Sequence, residues 1–237
     1  MKAFWTLHSN LPREGPGDAA TLDRALRAAR VAETAQILDA GAGPGADIAA
    51  LLAHVPRGHV TAIEQHADFA QAAAARFAGN PQVTVKTGDM ADPGGAYDLI
   101  WCAGALYFLG VEAGLRAWRT ALRPGRQVIF SDAIWLTAAR PDEAVRNWQE
   151  YPAMTDRAGV ARAIAAAGYT LLDDWVLPDA AWEAYYTPLE ARVEMLTPQA
   201  ETDPDLAATL AVARSEIALW RRHRRVFGYG LFRVRLQ

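Results

Sequence analysis

From Gln36 onward, short apolar runs alternate with stretches whose apolar residues recur every three or four positions. The runs fall at 36–39, 59–64, 83–87, 97–103 and 126–135 and predict strands; the periodic stretches at 45–54, 66–78 and 110–122 predict helices. Turn signals separate them at Pro56-Arg-Gly58, Gly79-Asn-Pro81, Pro93-Gly-Gly95 and Pro124-Gly125. Such alternation predicts parallel βαβ units and an α/β fold. Upstream, Leu11 to Asp18 is loop-like, and a helical pattern then runs to about Thr34, with Leu22, Leu26 and Ala29 on one face and Arg24, Arg27 and Arg30 around the other. After Trp135 the texture changes to helical stretches at 141–151 and 155–167, a strand at 169–177 and a run dense in aromatics. Asp203-Pro204 caps and opens a strong helix that places Leu206, Leu210, Ala213, Ile217 and Trp220 on one face, with Gly228 after its end. Residues 229–236 alternate as a closing strand. One domain is expected overall: an N-terminal loop and helix over 1–35 able to act as a lid, a core over 36–135, and a part over 136–237 that completes the sheet.

Composition narrows the class. The 237 residues are 51% hydrophobic and 22% charged, which is a globular balance. A net charge of −3 gives no reason to expect nucleic acid or an anionic membrane as partner. The single cysteine, Cys102, cannot form an internal disulfide, and the N-terminus shows neither a signal peptide nor a membrane span, so a cytoplasmic protein is expected. A homodimer is compatible with this composition.

The chemistry concentrates at Ile37 to Leu51. An apolar run is followed by glycine at 41, 43 and 45 and then by helical rhythm. Glycine belongs where backbone turns sharply or touches a ligand, and a helix starting near Gly45 or Ala46 would point unpaired N–H groups at the loop. Open α/β sheets bind ligands at this place, the carboxyl end of a strand. Asp39, two residues before the first glycine, would repel the phosphates of NAD but welcome a cation. Glu64 stands 25 positions on, near the spacing at which an acid accepts both hydroxyls of a ribose. Asp89, in Gly88-Asp-Met90, could accept the exocyclic amine of adenine. A phosphate-free adenosine carrying positive charge satisfies all three, and S-adenosylmethionine (SAM) is such a molecule.

Leu38-Asp-Ala-Gly-Ala-Gly-Pro-Gly45, Val60-Thr-Ala-Ile-Glu64, Gly88-Asp-Met90, Tyr97-Asp-Leu-Ile-Trp101 and Leu122-Arg-Pro-Gly125 together resemble the class I SAM-dependent methyltransferases. The resemblance spans residues 36–135 in order and spacing. It implies a Rossmann-like, doubly wound sheet of seven strands whose last strand is antiparallel. It also implies that Asp39 and the glycine loop hold the methionine part, Glu64 the ribose, and Asp89 with Met90 the adenine, with Ala40, Gly41, Ala42, Gly43, Gln65 and Gly88 also among the cofactor-binding residues. Gly15-Pro-Gly17, Gly104-Ala-Leu-Tyr107, Trp182 and Tyr185-Tyr-Thr-Pro188 are similar to a small bacterial group of such enzymes of unassigned substrate. The Asn/Asp-Pro-Pro-Tyr/Phe motif of adenine- and amide-N-methylating enzymes is absent after the fourth strand, where Ala103-Gly-Ala-Leu106 stands, and no acidic cluster there suggests a metal. A small-molecule acceptor and direct displacement at the methyl group are therefore expected. An NAD-dependent oxidoreductase is the alternative, since Gly41-x-Gly43-x-x-Ala46 formally fits its fingerprint; a non-catalytic SAM-binding regulator is another.

No general base stands out. His8, Tyr107, Asp132, Tyr185 and Tyr186 are candidates because their segments are expected around the mouth of the site. Tyr107, Trp135, Trp182 and Tyr185 are candidate acceptor contacts, since aromatic walls suit planar or apolar molecules and face cations well. For Trp182, Tyr185 and Tyr186 a core role weighs equally; Trp148 and Trp175 read as core. Arg221-Arg-His-Arg-Arg225 reads as a solvated helix end, and Cys102 as a buried structural thiol.

Overall fold

The computed structural model describes residues 2–237. Seven strands form one sheet: β1 (Gln36–Ala40), β2 (His59–Glu64), β3 (Val83–Thr87), β4 (Tyr97–Ala103), β5 (Leu122–Trp135), then β7 (Tyr169–Val176) and β8 (Phe227–Leu236). Their order is β3-β2-β1-β4-β5-β8-β7, with a two-residue strand β6 (Thr155–Asp156) beside the end of β5. Pairing is parallel from β3 through β5, and β8 runs antiparallel to both β5 and β7. The closing strand is thus the antiparallel one, as expected.

Side chains alternate between two apolar layers because both faces of the sheet are covered. Ile37, Leu99, Trp101 and Ile129 point to one layer, which they share with α2 (Ala19–Ala29), α3 (Ile48–His54), α8 (Asp179–Ala200) and α9 (Pro204–His223). Leu38, Ile100, Cys102, Val128 and Phe130 point to the other, filled by α5 (Val111–Ala117) and α7 (Arg157–Ala166). The remaining helices are α1 (Lys2–His8), α4 (Ala67–Arg76) and α6 (Asp142–Asn147).

Several boundaries differ from expectation for local reasons. Helix α2 stops at Ala29 and not near Thr34, because Arg30 adopts the left-handed conformation and donates its N–H back to Arg27. Helix α3 begins at Ile48, after a loop that uses positive φ at Gly41, Gly43 and Gly45, so it starts later than the pattern suggested. Pro124-Gly125 is not a turn between elements: pairing of β5 already starts at Leu122, and a bulge with Gly125 at φ 71° carries the strand on to Gln127.

Two helices escaped the pattern, α1 and the 22-residue α8. Pro188 and Pro198 lie inside α8 and read as breakers. Each interior proline costs about 3 kcal/mol. Trp182, Tyr185, Tyr186, Leu189, Val193 and Leu196 are all buried by this helix, and at roughly 1.5–3 kcal/mol apiece their burial outweighs the breakers. In α9, by contrast, every expected core residue is buried, and Asp203 accepts the Leu206 N–H as its cap. Gly228 lies inside β8, opposite Ile134.

Candidate functional site

A cavity of about 970 Å³ opens where β1, β2 and β4 end, below α1 and between the glycine loop and α8–α9. Its size is in the range of small-molecule and cofactor sites, roughly 300–1,000 Å³. One half is built by the sheet. The loop after β1 is drawn onto β2 by two backbone donors, Gly41 and Ala42, which share the Ile63 carbonyl at 2.9 and 3.0 Å. At Gly41 a Cβ would stand 2.5 Å from the Ala105 methyl, so only glycine lets the loop pass so close to the segment after β4.

Glu64, at the tip of β2, is buried and held at both oxygens: Oε2 accepts the Gly43 N–H at 2.9 Å and Oε1 the His66 N–H at 2.8 Å. Asp47 accepts the indole N–H of Trp101 at 2.9 Å and an Arg13 N–H at 3.3 Å. Asp39 lies between these carboxylates, and its Oδ2 is sealed from solvent without a hydrogen-bond partner. Burial, then the charges of Asp47 and Glu64, push its pKa well above the usual carboxylate value. Asp39 itself lines the cavity, and a buried carboxylate that lacks a partner there is a site for a cation. Asp89 and Met90 lie further out; Asp89 accepts the Ala91 N–H, and the Met90 carbonyl is fixed by the Trp118 indole at 2.7 Å.

The other half is assembled from the two ends of the chain. The N-terminal segment straps across the loop: Phe4, Leu7, His8, Arg13, Glu14 and Gly15 all line the cavity. Arg192 on α8 anchors α1 by donating to the Thr6 carbonyl and Ser9 hydroxyl, and the Gly17 N–H donates to the Ala181 carbonyl. His8 Nδ1 meets Glu14 Oε2 at 2.5 Å, while Glu14 Oε1 is buried without a partner. Burial raises the Glu14 pKa against the lowering effect of His8. Opposite, Tyr185 and Leu189 of α8 and Thr209, Val212, Ala213 and Glu216 of α9 complete the wall, with Tyr107 and Phe108 from the turn after β4. The Tyr186 hydroxyl donates to Glu216 Oε1 at 2.9 Å, and burial raises the Glu216 pKa.

Of the residues singled out in sequence, the cavity brings together Asp39, Gly41, Ala42, Gly43, Glu64, Gln65, Asp89 and Met90, together with His8, Tyr107 and Tyr185. Ala40 is buried inside β1, and Gly88 stands just off the lining. Trp135 and Trp182 do not reach the cavity: Trp135 packs edge-on to Phe227, and Trp182 stacks on Trp220 at 5.1 Å and 12°. Tyr186 is buried behind Glu216. Asp132 is buried too; it accepts the Tyr151 hydroxyl at 2.9 Å, and desolvation raises its pKa to about 7. Residues near these positions were expected at the mouth because sequence shows the segment but not the inward twist of its side chains. Glu216 was missed, and Glu14 was expected only as the start of a Glu14-Gly-Pro-Gly-Asp18 lid loop, not as a carboxylate of the site. For Glu216 a signal existed, an acid one position from Ile217 on the border of α9's apolar face.

The basic run at the end of α9 is spent on neighbouring acids: Arg221 pairs with Glu183 and Glu190, Arg222 and His223 with Glu143, and Arg224 with Asp179. Cys102 is fully buried, and burial pushes its thiol pKa up, away from reactivity. Among the described residues no helix is long and apolar enough to cross a membrane, and no group of three or more metal-ligating side chains occurs.

Residues 38–126 match the family model of a methyltransferase domain. The chain is similar in structure to a SAM-dependent methyltransferase from Geobacter sulfurreducens solved with S-adenosylhomocysteine (SAH), at 18% identity and a TM-score of 0.82, covering 100% of this chain and 98% of that one. It is equally similar to one from Thiobacillus denitrificans, also solved with SAH, at 20% identity and a TM-score of 0.81, covering 100% and 99%. The [4+2]-cyclase SpnF shares the fold at 16% identity and a TM-score of 0.75, covering 99% and 92%. None of the curated proteins matches the sequence. At these identities the structures establish a shared Rossmann-like fold, and chemistry must be argued from the site.

Proposed function

We propose that this chain, with its methyltransferase domain at 38–126, is a SAM-dependent methyltransferase that acts on a small molecule by direct displacement. The observation that carries the reading is the partnerless, buried Oδ2 of Asp39 at the tip of β1. Around it the lining holds Glu14, Asp39, Asp47, Glu64, Asp89, Glu150 and Glu216 against one arginine, Arg13, and the imidazoles of His8 and His66. Arg13 is already engaged with Asp47. A dinucleotide pyrophosphate would meet carboxylates with no unpaired arginine or lysine among the described lining residues to neutralise it, whereas a ligand bearing an ammonium and a sulfonium would relieve their repulsion. This favours SAM over NAD.

Asp39 and the Gly41–Gly43 backbone would hold the methionine part. Glu64, already fixed by two backbone donors, keeps lone pairs free on both oxygens, and these suit the paired hydroxyls of a ribose. Asp89 would accept the adenine amine, with Met90 against the ring. When bound, SAM supplies a methyl group on an already activated sulfur. The chain's share of the work is then alignment, which can account for roughly 7–11 kcal/mol of a barrier. The strap and the α8–α9 wall serve it by excluding water from the reacting end.

The test is thermal. At 100 times its dissociation constant a ligand stabilises by about 2.7 kcal/mol, a melting shift of roughly 5–10 °C for a chain of this size. SAM and SAH should give that shift and NAD should not; a shift with NAD alone would overturn the reading. Release of SAH in the presence of acceptors then separates an enzyme from a SAM-binding protein without turnover.

A further inference from the structure

Resting on that reading, we infer that the acceptor is an amine carrying an apolar body: its ammonium group sits against Glu216, and its apolar part leaves past Val212, Phe108 and Phe4. Three independent observations meet here.

The first is charge. On the α9 wall of the cavity stands Glu216, set deep in the protein yet with part of its surface open to the cavity. Tyr186 occupies Oε1 and leaves Oε2 without a protein donor. Glu14, which lies against Gly43 of the glycine loop, adds a second carboxylate to the same lining; its Oε1 is buried and partnerless. Among the described residues, His8 is the basic group near both, and it is bonded to Glu14. Even with His8 charged, two carboxylates stand against one imidazolium, so the lining around His8 retains a negative charge that a bound cation at Glu216 would neutralise.

The second is shape. Glu216, Val212 and Thr209 follow one another at intervals of four and three along α9 and all line the cavity. They form a track about 10 Å long at 1.5 Å per residue. Its inner end is the deep carboxylate; one turn out, Val212 is 67% exposed. The third is the rim. Phe108 at 63% and Phe4 at 43% are exposed and lie on the lining of the same cavity, so its mouth is framed by apolar side chains that the protein itself does not cover. A polar head inside and an apolar body at the opening fit both features, while a carboxylate or phosphate acceptor would face like charge.

The step balances without a further reagent. The bound ammonium gives one proton to the Glu216 carboxylate. The freed nitrogen lone pair forms the N–C bond to the methyl group as the C–S bond breaks, and that bond's electron pair stays on sulfur. The products are a methylammonium, SAH and a protonated Glu216 that returns its proton to water.

The experiment uses the intact protein. SAM and SAH melting shifts are measured first; their absence would overturn the cofactor reading and this one with it. With SAH bound, hexylamine, decylamine and phenethylamine are titrated by calorimetry beside 4-methylphenol, benzoate and hexanol, and methylation of each is followed by SAH release. Amines should bind and turn over, decylamine more tightly than hexylamine. Glu216→Gln should raise the amine KM at least about tenfold, the loss of a charge-assisted contact, and keep the SAM shift. Val212→Ser should narrow the gap between the two alkylamines. A preference for the phenol or benzoate, an unchanged amine KM in Glu216→Gln, or no amine binding while the SAM shift is intact would overturn the inference. Should Glu216→Gln fail to fold, the wild-type titrations decide alone.

Discussion

Replacing Asp39 by asparagine should stabilise the ligand-free protein and weaken SAM binding, two effects of opposite sign from one atom. In the ligand-free state Asp39 Oδ2 is buried without a partner, and Asp47 and Glu64 repel its charge. Leaving a buried acceptor unsatisfied costs about 1–3 kcal/mol, more if it is charged. The isosteric amide still leaves one polar atom without a partner but removes the charge and its repulsion, so Asp39→Asn should gain about 1–3 kcal/mol from the charge alone. For a chain of 150–250 residues this means a rise in Tm of roughly 2–12 °C. The pH dependence fixes the sign independently. The folded pKa of Asp39 lies above its ordinary value of 3.8, so the folded state binds more protons over that window. Stability from this group is complete below the ordinary pKa and is lost as pH rises through the folded one. The gain in Asp39→Asn should therefore be small near pH 4 and grow toward neutrality. Binding moves the other way: loss of a charge-assisted contact, about 1.5–3 kcal/mol, should raise the SAM dissociation constant roughly 10- to 150-fold. Calorimetric melting between pH 4 and pH 8 and a SAM titration read both effects. A variant less stable than wild type at pH 7, or one with unchanged SAM affinity, would refute the reasoning.

Glu64→Gln keeps the shape but turns an amide N–H toward a backbone N–H that a carboxylate oxygen now satisfies; SAM affinity should fall at least about tenfold, and an unchanged titration would remove Glu64 from the ribose site. Asp132, raised to about 7 by burial, makes the protein less stable as pH climbs from the ordinary carboxylate range through 7. Asp132→Asn should flatten that part of the stability profile, by about 4 kcal/mol at most, as read by denaturant melts across pH. Trp182→Ala should cost about 3–5 kcal/mol by opening a cavity beside Trp220, while the folded variant keeps its SAM affinity at low temperature; a selective loss of SAM binding would restore Trp182 to the site.

The sheet and its glycine loop were legible because each strand-tip acid closes its own apolar run in one contiguous stretch. Ile37–Ala40 must be a buried strand, and the residues next in the chain must leave from its carboxyl end, so Asp39, Gly41 and Gly43 are placed there by covalent necessity. Glu64 and Asp89 obey the same logic one and two strands along. What local pattern could not show was rotation at strand ends. Trp135, the last residue of β5, faces the apolar layer with Phe227 and not the cavity.

The acceptor half was illegible for a different reason: no stretch of sequence contains it. Glu14 and Glu216 face the same cavity from positions some two hundred residues apart. They meet only because β8, antiparallel between β5 and β7, brings the chain's end back to the middle of the sheet, so that α8 and α9 lie over it and α1 can dock on them. The strap therefore has two anchors of different kinds. Arg13 reaches Asp47 in the glycine loop, and Arg192 of α8 holds the carbonyl end of α1. Any displacement of the strap would disturb the cation site at Asp39 and the wall around Glu216 together, because Arg13 and His8 belong to one segment of the chain. Cofactor loop and acceptor wall share that segment, which is why the side chains governing the acceptor had to be found in the folded molecule.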